Sequence, residues 1–196
     1  MKGRRAALIA SAVLAPLLLT ACGGAGEADG RPVSAATPAA KHNDGDVMFL
    51  QMMIEHHRQG LEMAKLAERR APSRDVRVLA GAVGATQTEE AKRMIAWLQA
   101  WSKPLKAQHG HGHGHHSAHG AMPATGAKEI EALKEAKGAA FEAAFLNLFI
   151  AHQHNAVEMA RTELAEGVNP DAKAFAGRVR DSRTDQIQQM LGMLGT

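Results

Sequence analysis

Soft and borderline metal-binding groups crowd one short stretch of the chain. Residues 49–64, "FLQMMIEHHRQGLEMA", hold Met52, Met53 and Met63, the adjacent pair His56 and His57, and Glu55 and Glu62. Thioether sulfur is a soft, neutral ligand that suits Cu(I), and imidazole accepts copper in either oxidation state as well as zinc. The same side chains also build ordinary cores. Methionine is a flexible gap filler, and a buried imidazole needs a hydrogen-bond partner with or without a metal. Spacing tells which of them point inward together. Phe49, Met53, His56, Gly60 and Met63 follow a 4-3-4-3 pattern, which places them within roughly 80° on a helical wheel. Leu50, His57 and Leu61 widen that face.

The stretch has a copy. "FLNLFIAHQHNAVEMA" at 145–160 matches it at a constant offset of 96, and the offset persists through Asp75/Asp171, Ala80/Ala176, Val83/Val179, Met94/Met190 and Leu98/Leu194. Such a gapless match indicates an internal duplication. His56 and His152 are equivalent, as are Met63 and Met159, and Met94 and Met190. An approximate two-fold axis through the core is expected to gather two imidazoles and four thioethers near its centre, with Met52, Met53 and Met193 close by. Glu62 and Glu158 also recur, but they fall off the inward stripe and read as solvated or salt-bridged positions. His57 is matched by Gln153, so any shared role is lost in one half; His154 is expected to face out. Glu90 lies on the Met94 face, and Arg183, at the position of Gln87, is placed to pair with it across the core.

Each half reads as a helical hairpin. The first helix starts near Asn43 or Asp44, good caps, and stops at Pro72, after which Ser73 can cap the next. In that second helix Val76, Val83, Gln87, Glu90, Met94, Trp97 and Trp101 share a face, and it ends near Lys103. The second half repeats the plan, with one helix from about Ala127 to Glu166, a break at "GVNPD", and a last helix from Asp171 to Leu194. Strand signals are missing. A hairpin cannot bury its stripe alone, so two of them packed face to face predict an all-α, four-helix bundle.

The two halves are joined by a long connection carrying a second concentration of imidazole. "HGHGHHSAHGAM" contains six of the chain's 11 histidines: His109, His111, His113, His115, His116 and His119. Alternation with glycine gives a strand able to wrap a divalent ion, with Cu(II), Ni(II) or Zn(II) all suitable. Mild acid protonates imidazoles and should weaken such binding.

The N-terminus carries an address. "MKGRR" followed by the apolar run "AALIASAVLAPLLL" and "LTAC" resembles a bacterial lipoprotein signal over residues 1–21, with Cys22 as the lipid-bearing first residue of the mature chain. Cys22 is the only cysteine, which removes disulfides and thiolate metal sites from the folded part. Residues 22–42, rich in Gly, Ala and Pro, read as a disordered tether. Residues 43–196 form the bundle: repeat one at 43–103, the His-rich loop at 104–126 and repeat two at 127–196. The net charge of +3 belongs to the leader, because without Lys2, Arg4 and Arg5 the 23 basic residues fall to 20 against 20 acidic ones. The pI of about 9.2 is therefore no nucleic-acid footprint.

The pattern "F…MMIEHHRQGLEMA" followed by "GATQTEEAKRMIAWL", with its second copy, resembles the DUF305 family over about residues 43–196. That resemblance implies an exported bacterial protein with a ferritin-like helical bundle. It also implies copper handling, since some members are periplasmic copper-binding proteins that use Met and His. Phe49, Met53, His56, His57, Met63, Gln87, Glu90, Met94 and Trp97 match the family pattern. The second copy departs from it at Gln153, Arg183 and Gln186, so the C-terminal half is partly structural on this view.

Three functions follow for test. The first is a membrane-anchored copper sequestration or transfer protein, not an enzyme. Its candidate ligands are His56, His57, Met53, Met63, Met94, His152, Met159 and Met190 in the bundle, with the six tract histidines capturing copper, zinc or nickel. The second is a structural or partner-binding bundle that takes up metal incidentally. The third, a di-iron oxidase, needs Glu-x-x-His motifs on two helices, and the chain has none. Nucleic acid is not an expected partner.

Overall fold

Local signals set the helix ends. The computed structural model describes residues 41–106 and 125–195, so the leader, Cys22 and the tract histidines 109–119 lie outside the described residues. Five helices and no strand occur among them: α1 (Asp44–Arg70), α2 (Arg74–Ala100), α3 (Ala127–Glu135), α4 (Gly138–Glu166) and α5 (Pro170–Leu194). Asn43 caps α1 reciprocally: its side chain accepts from the Asp46 amide at 2.8 Å, and the Asp46 carboxylate accepts from the Asn43 amide at 2.7 Å. Ser73 caps α2, and Asn169 caps α5 just before Pro170, a residue suited to a first helical turn. No helix among the described residues is long and apolar enough to cross a membrane.

The four long helices share one bundle, built from the hairpins α1–α2 and α4–α5. The duplication is visible in its fastenings. The Asn169 amide donates to Asp46 at 3.0 Å, tying the α4–α5 turn to the start of α1. The Ser73 amide donates to Glu142 at 2.7 Å, tying the α1–α2 turn to the start of α4. Both members of each pair are displaced by the repeat interval, so the two ends use one device. Two apolar clusters fill the core. One gathers Phe49, Met53, Met94, Trp97, Met159 and Phe175; the other gathers Met63, Val83, Phe141, Phe145, Phe149 and Met190. Each buried aromatic or methionine stabilises the bundle by about 1.5–3 kcal/mol relative to an exposed one.

One expected helix is two. The span from Ala127 to Glu166 is interrupted at Ala136 and Lys137, and Gly138 takes a φ of +55°, which glycine adopts without strain. The break lets α3 fold over the end of the bundle, where Ile130 and Leu133 cover the cluster around Phe141. Arg70 donates to the carbonyls of Lys134 and Ala136, satisfying groups that the end of α3 leaves open. Helical periodicity persists through the break, which is why the sequence alone reads as continuous.

Candidate metal centre

The chemistry-bearing residues sit near the midpoint of every long helix. From α1 come His56, His57 and Gly60; from α2, Gln87 and Glu90; from α4, His152 and Gln153; from α5, Arg183 and Gln186. His56, His57, Gln87, His152, Gln153 and Arg183 are all buried. Burying a polar atom costs free energy unless it is hydrogen-bonded, and the hydrogen bonds that form define the layer.

His56 Nε2 lies 2.8 Å from the backbone oxygen of His152, its repeat equivalent 96 residues on. A carbonyl only accepts, so the hydrogen is on Nε2 and the Nδ1 lone pair of His56 is bare; that atom is buried with no hydrogen-bond partner. Burial lowers the His56 pKa to about 3, against the opposing effect of the His152 carbonyl and helped by His57 and Arg183. Burial also lowers His152 to about 2, with His56, His57 and Arg183 adding to the effect. Both rings are therefore neutral, the form that ligates metals. His152 Nδ1 is 2.7 Å from Thr125 Oγ1, and the ring also faces the His56 backbone, which opposes the lowering of its pKa.

His57 Nε2 is 2.7 Å from Glu90 Oε2, and Arg183 Nη2 meets the same oxygen. Burial would raise the Glu90 carboxyl, but His57 and Arg183 together hold it below the usual range. His57 is lowered, chiefly by burial and against the pull of Glu90. The expected pairing of Arg183 with Glu90 across the core is thus present, and it makes the layer's one buried ion pair among the described residues. The repeat counterpart of His57–Glu90 is Gln153–Gln186, a hydrogen bond spanning the same 33 residues.

The thioethers are arranged differently from the expectation. Met94 and Met159 belong to one apolar cluster, while Met63 and Met190 belong to the other. The pseudo-two-fold carries one pair onto the other; it does not bring four sulfurs to one point. Met53 joins the first pair, and its counterpart in the second cluster is Phe149. Met52 and Met193 pack at the edges of separate clusters. The imidazoles do meet: His56 and His152 stack with centroids 3.6 Å apart and planes 11° from parallel. Ring lone pairs lie in the ring plane, so a shared ion requires one ring to turn. Among the described residues no three His, Cys, Asp or Glu side chains converge on a metal-sized point.

The remaining expectations fall outside the layer. His154 is exposed, as its place on the wheel implied. Glu62 binds Lys134 at 2.8 Å, and Glu158 binds Arg161 at 2.6 Å, so both are salt-bridged positions. Thr125 carries no signal in the sequence strong enough to mark it, whereas Gln87 matches the family pattern without any sign that its amide is unpaired. Thr125 lies in a connection without periodicity.

The fold and the layer define a duplicated, all-α bundle with a buried imidazole and carboxylate centre. Residues 46–194 match DUF305, described as a domain of unknown function, and the chain belongs to that family. A DUF305 protein from Streptomyces coelicolor is 25% identical with a TM-score of 0.70, covering 77% of this chain and 91% of that one. A DUF305 fragment from Deinococcus radiodurans is 28% identical with a TM-score of 0.65, over 78% and 97% of the two chains. CopM in its Cu(II)-bound form is 26% identical with a TM-score of 0.64, over 76% and 95%. CopM has also been solved with Cu(I) bound, at 26% identity, a TM-score of 0.61 and coverage of 76% and 94%. Curated proteins offer no match.

Proposed function

We propose that this chain is an exported, lipid-anchored copper-binding protein that sequesters or transfers the ion and catalyses no reaction on it. The observation that carries the reading is the likeness to CopM over 76% of this chain, CopM having been solved in Cu(I)- and Cu(II)-bound forms. The chain's own donors fit soft-metal cargo. His56 Nδ1 is buried on a neutral ring without a hydrogen-bond partner, and the neutral ring of His152 stacks against it. Met63 and Met190 lie on one side, and Met94, Met159 and Met53 on the other, offering thioethers to an ion that moves along the core. His57 is already engaged by Glu90 and contributes only if that bond opens. The six tract histidines are the capture site, for copper and, less selectively, for zinc or nickel. Export rests on the leader and Cys22; a secreted assignment has been put forward for the Streptomyces coelicolor relative.

A second reading has its own support. Arg183 is a buried cation beside all three imidazoles, and it disfavours another cation in that layer. Together with the stacked rings, this favours a structural layer that fixes helix register, with metal taken only by the tract. Titration of Cu(I) against a competing chelator separates the two. The wild type is compared with the double variant His56→Ala/Met63→Ala and with a chain lacking the tract. The copper reading expects both changes to lower the bound equivalents. If deletion of the tract abolishes all binding, the bundle is structural; if neither change matters, the copper reading is wrong.

A further inference from the structure

The repeat gives both ends of the bundle one fastening, and one end adds a group that the other lacks. Asp46 and Glu142 are equivalent at the interval of 96, as are Ser73 and Asn169. At one end the Glu142 carboxylate accepts the Ser73 amide at 2.7 Å. At the other, Asp46 accepts three backbone amides: Asn43 at 2.7 Å, Asn169 at 3.0 Å and Val168 at 3.1 Å. Hydrogen bonds of this kind favour the ionised carboxylate. Burial pushes Asp46 up, but the amides of Asn43 and Asn169, with Glu163 and Val168, outweigh it and hold the group below its usual range.

Glu163 meets this carboxylate side chain to side chain, and the two residues are 2% and 0% exposed. Ala67 stands at the equivalent place in the first half. No N–H or O–H of another described residue reaches either Glu163 oxygen. A Cβ at Gly167 would collide with Glu163 Oε1, so the turn backbone closes directly over the carboxyl. Two buried carboxylates in contact repel; one hydrogen between them removes the repulsion and gives Glu163 its partner. Besides Asp46 of α1, Lys173 of α5 acts on Glu163: its ammonium donates to the Gly167 carbonyl at 3.1 Å and opposes the effect of Asp46.

The contact sits where the chain enters α1. The Asn43 side chain donates to the Glu166 carbonyl, and the Asn169 side chain to the Lys41 carbonyl, both at 2.9 Å. Asp46 holds both asparagines through their backbone amides. Residues 41–43 are thus tied to the α4–α5 turn through groups that Asp46 keeps in place.

We propose that Glu163 and Asp46 form a proton-dependent clasp: the Glu163 hydroxyl donates to the Asp46 carboxylate, and loss of that hydrogen loosens the join between residues 41–46 and the α4–α5 turn while the Ser73–Glu142 end stays shut. The clasp is tightest in acid. A released Glu163 ionises from pH 4.5, whereas the clasped carboxyl keeps its hydrogen to about 9. Across that span each pH unit favours the open form by about tenfold.

Hydrogen exchange of the full chain, corrected for the intrinsic rate at each pH, tests the clasp. Protection of the Asp46, Val168 and Asn169 amides is expected to fall about tenfold per unit between about pH 6 and pH 8.5, with Ser73 and Arg77 unmoved. In a chain labelled with 13C at glutamate, the Glu163 carboxyl, identified by its loss in Glu163→Gln, should titrate near 9. Glu163→Gln keeps a donor toward Asp46 and cannot ionise, so its protection should stay level over the same range. A Glu163 that titrates near 4.5, an equal fall at Ser73 and Arg77, or a slope that survives in Glu163→Gln would overturn the proposal. Should that variant fail to fold, the wild-type exchange at the two ends decides: a slope at the Asp46 end alone supports the clasp, and any other pattern refutes it.

Discussion

In the first hairpin the central layer reads His57–Glu90 with Gln87 and Gly60; in the second, at equivalent places, it reads Gln153–Gln186 with Arg183 and Ala156. One backbone arrangement therefore holds two chemistries. The first half concentrates an imidazole, a carboxylate and an unpaired amide. The second half supplies a neutral amide pair, and a guanidinium that reaches over to neutralise the first half's carboxylate. The halves share their symmetry but differ at positions 90/186 and 87/183, and those differences make the Glu90–Arg183 ion pair. The lesson is that a recurring position guarantees a recurring place in the fold, not a recurring role.

The largest break in this comparison should come from the ion pair. Glu90→Gln makes the first half resemble the second but leaves Arg183 buried without its counter-charge. It is expected to destabilise the bundle by about 3 kcal/mol, read by urea unfolding. The double variant Glu90→Gln/Arg183→Gln removes both charges and should recover most of that loss. If the single and double variants are equally unstable, the pair is not the interaction that couples the halves.

The two ends of the bundle differ in the same way, and pH exposes the difference. Glu163 occupies the place of Ala67 in the first half and lies against Asp46 beneath Gly167. Burial and the neighbouring Asp46 carboxylate raise Glu163 to about 9. The folded protein therefore keeps a proton that the unfolded chain releases above pH 4.5. This contribution is fully present below pH 4.5 and is lost progressively as pH rises from there to about 9. The buried histidines act oppositely. His56 and His152 are lowered to about 3 and about 2 from 6.5, so their contribution is complete above pH 6.5 and is lost on acidification toward 3. Each can cost up to about 1.4 kcal/mol per pH unit in that window. Melting temperature should thus peak in the mildly acidic to neutral range. Glu163→Ala, which copies the first half, should flatten the fall in stability above pH 6.5, where the histidines no longer titrate. An unchanged alkaline limb would show that Glu163 ionises normally.

The smallest effect belongs to the glycine. Gly60→Ala copies Ala156 into the first half and sets a methyl against Gln87 and His152. A loss of about 1–2 kcal/mol is expected, with both side chains displaced, because overpacking outweighs the gain in helix propensity. Stabilisation by this substitution would mean that the Gln87 amide swings clear freely and that the close approach has no role.

Much of this was legible beforehand. The repeat, the caps at Asn43 and Ser73, the inward stripe holding His56 and Met63, and the reach of Arg183 to Glu90 all follow from local chemistry and a constant offset. Helical period and capping act between residues close in the chain, and a duplication makes each half a template for the other. Whether two inward residues on different helices meet is another matter. It depends on where the two-fold axis crosses the core, and that was settled only by packing. The axis brought His56 against His152 and split the methionines into separate clusters, because the thioethers lie about two turns from the centre along antiparallel helices. It also set Thr125 on the back of His152 and Glu163 against Asp46. These contacts join residues far apart in sequence or set in irregular backbone, where no periodicity announces them. The sequence determined which residues would be buried; tertiary structure decided which of them would touch.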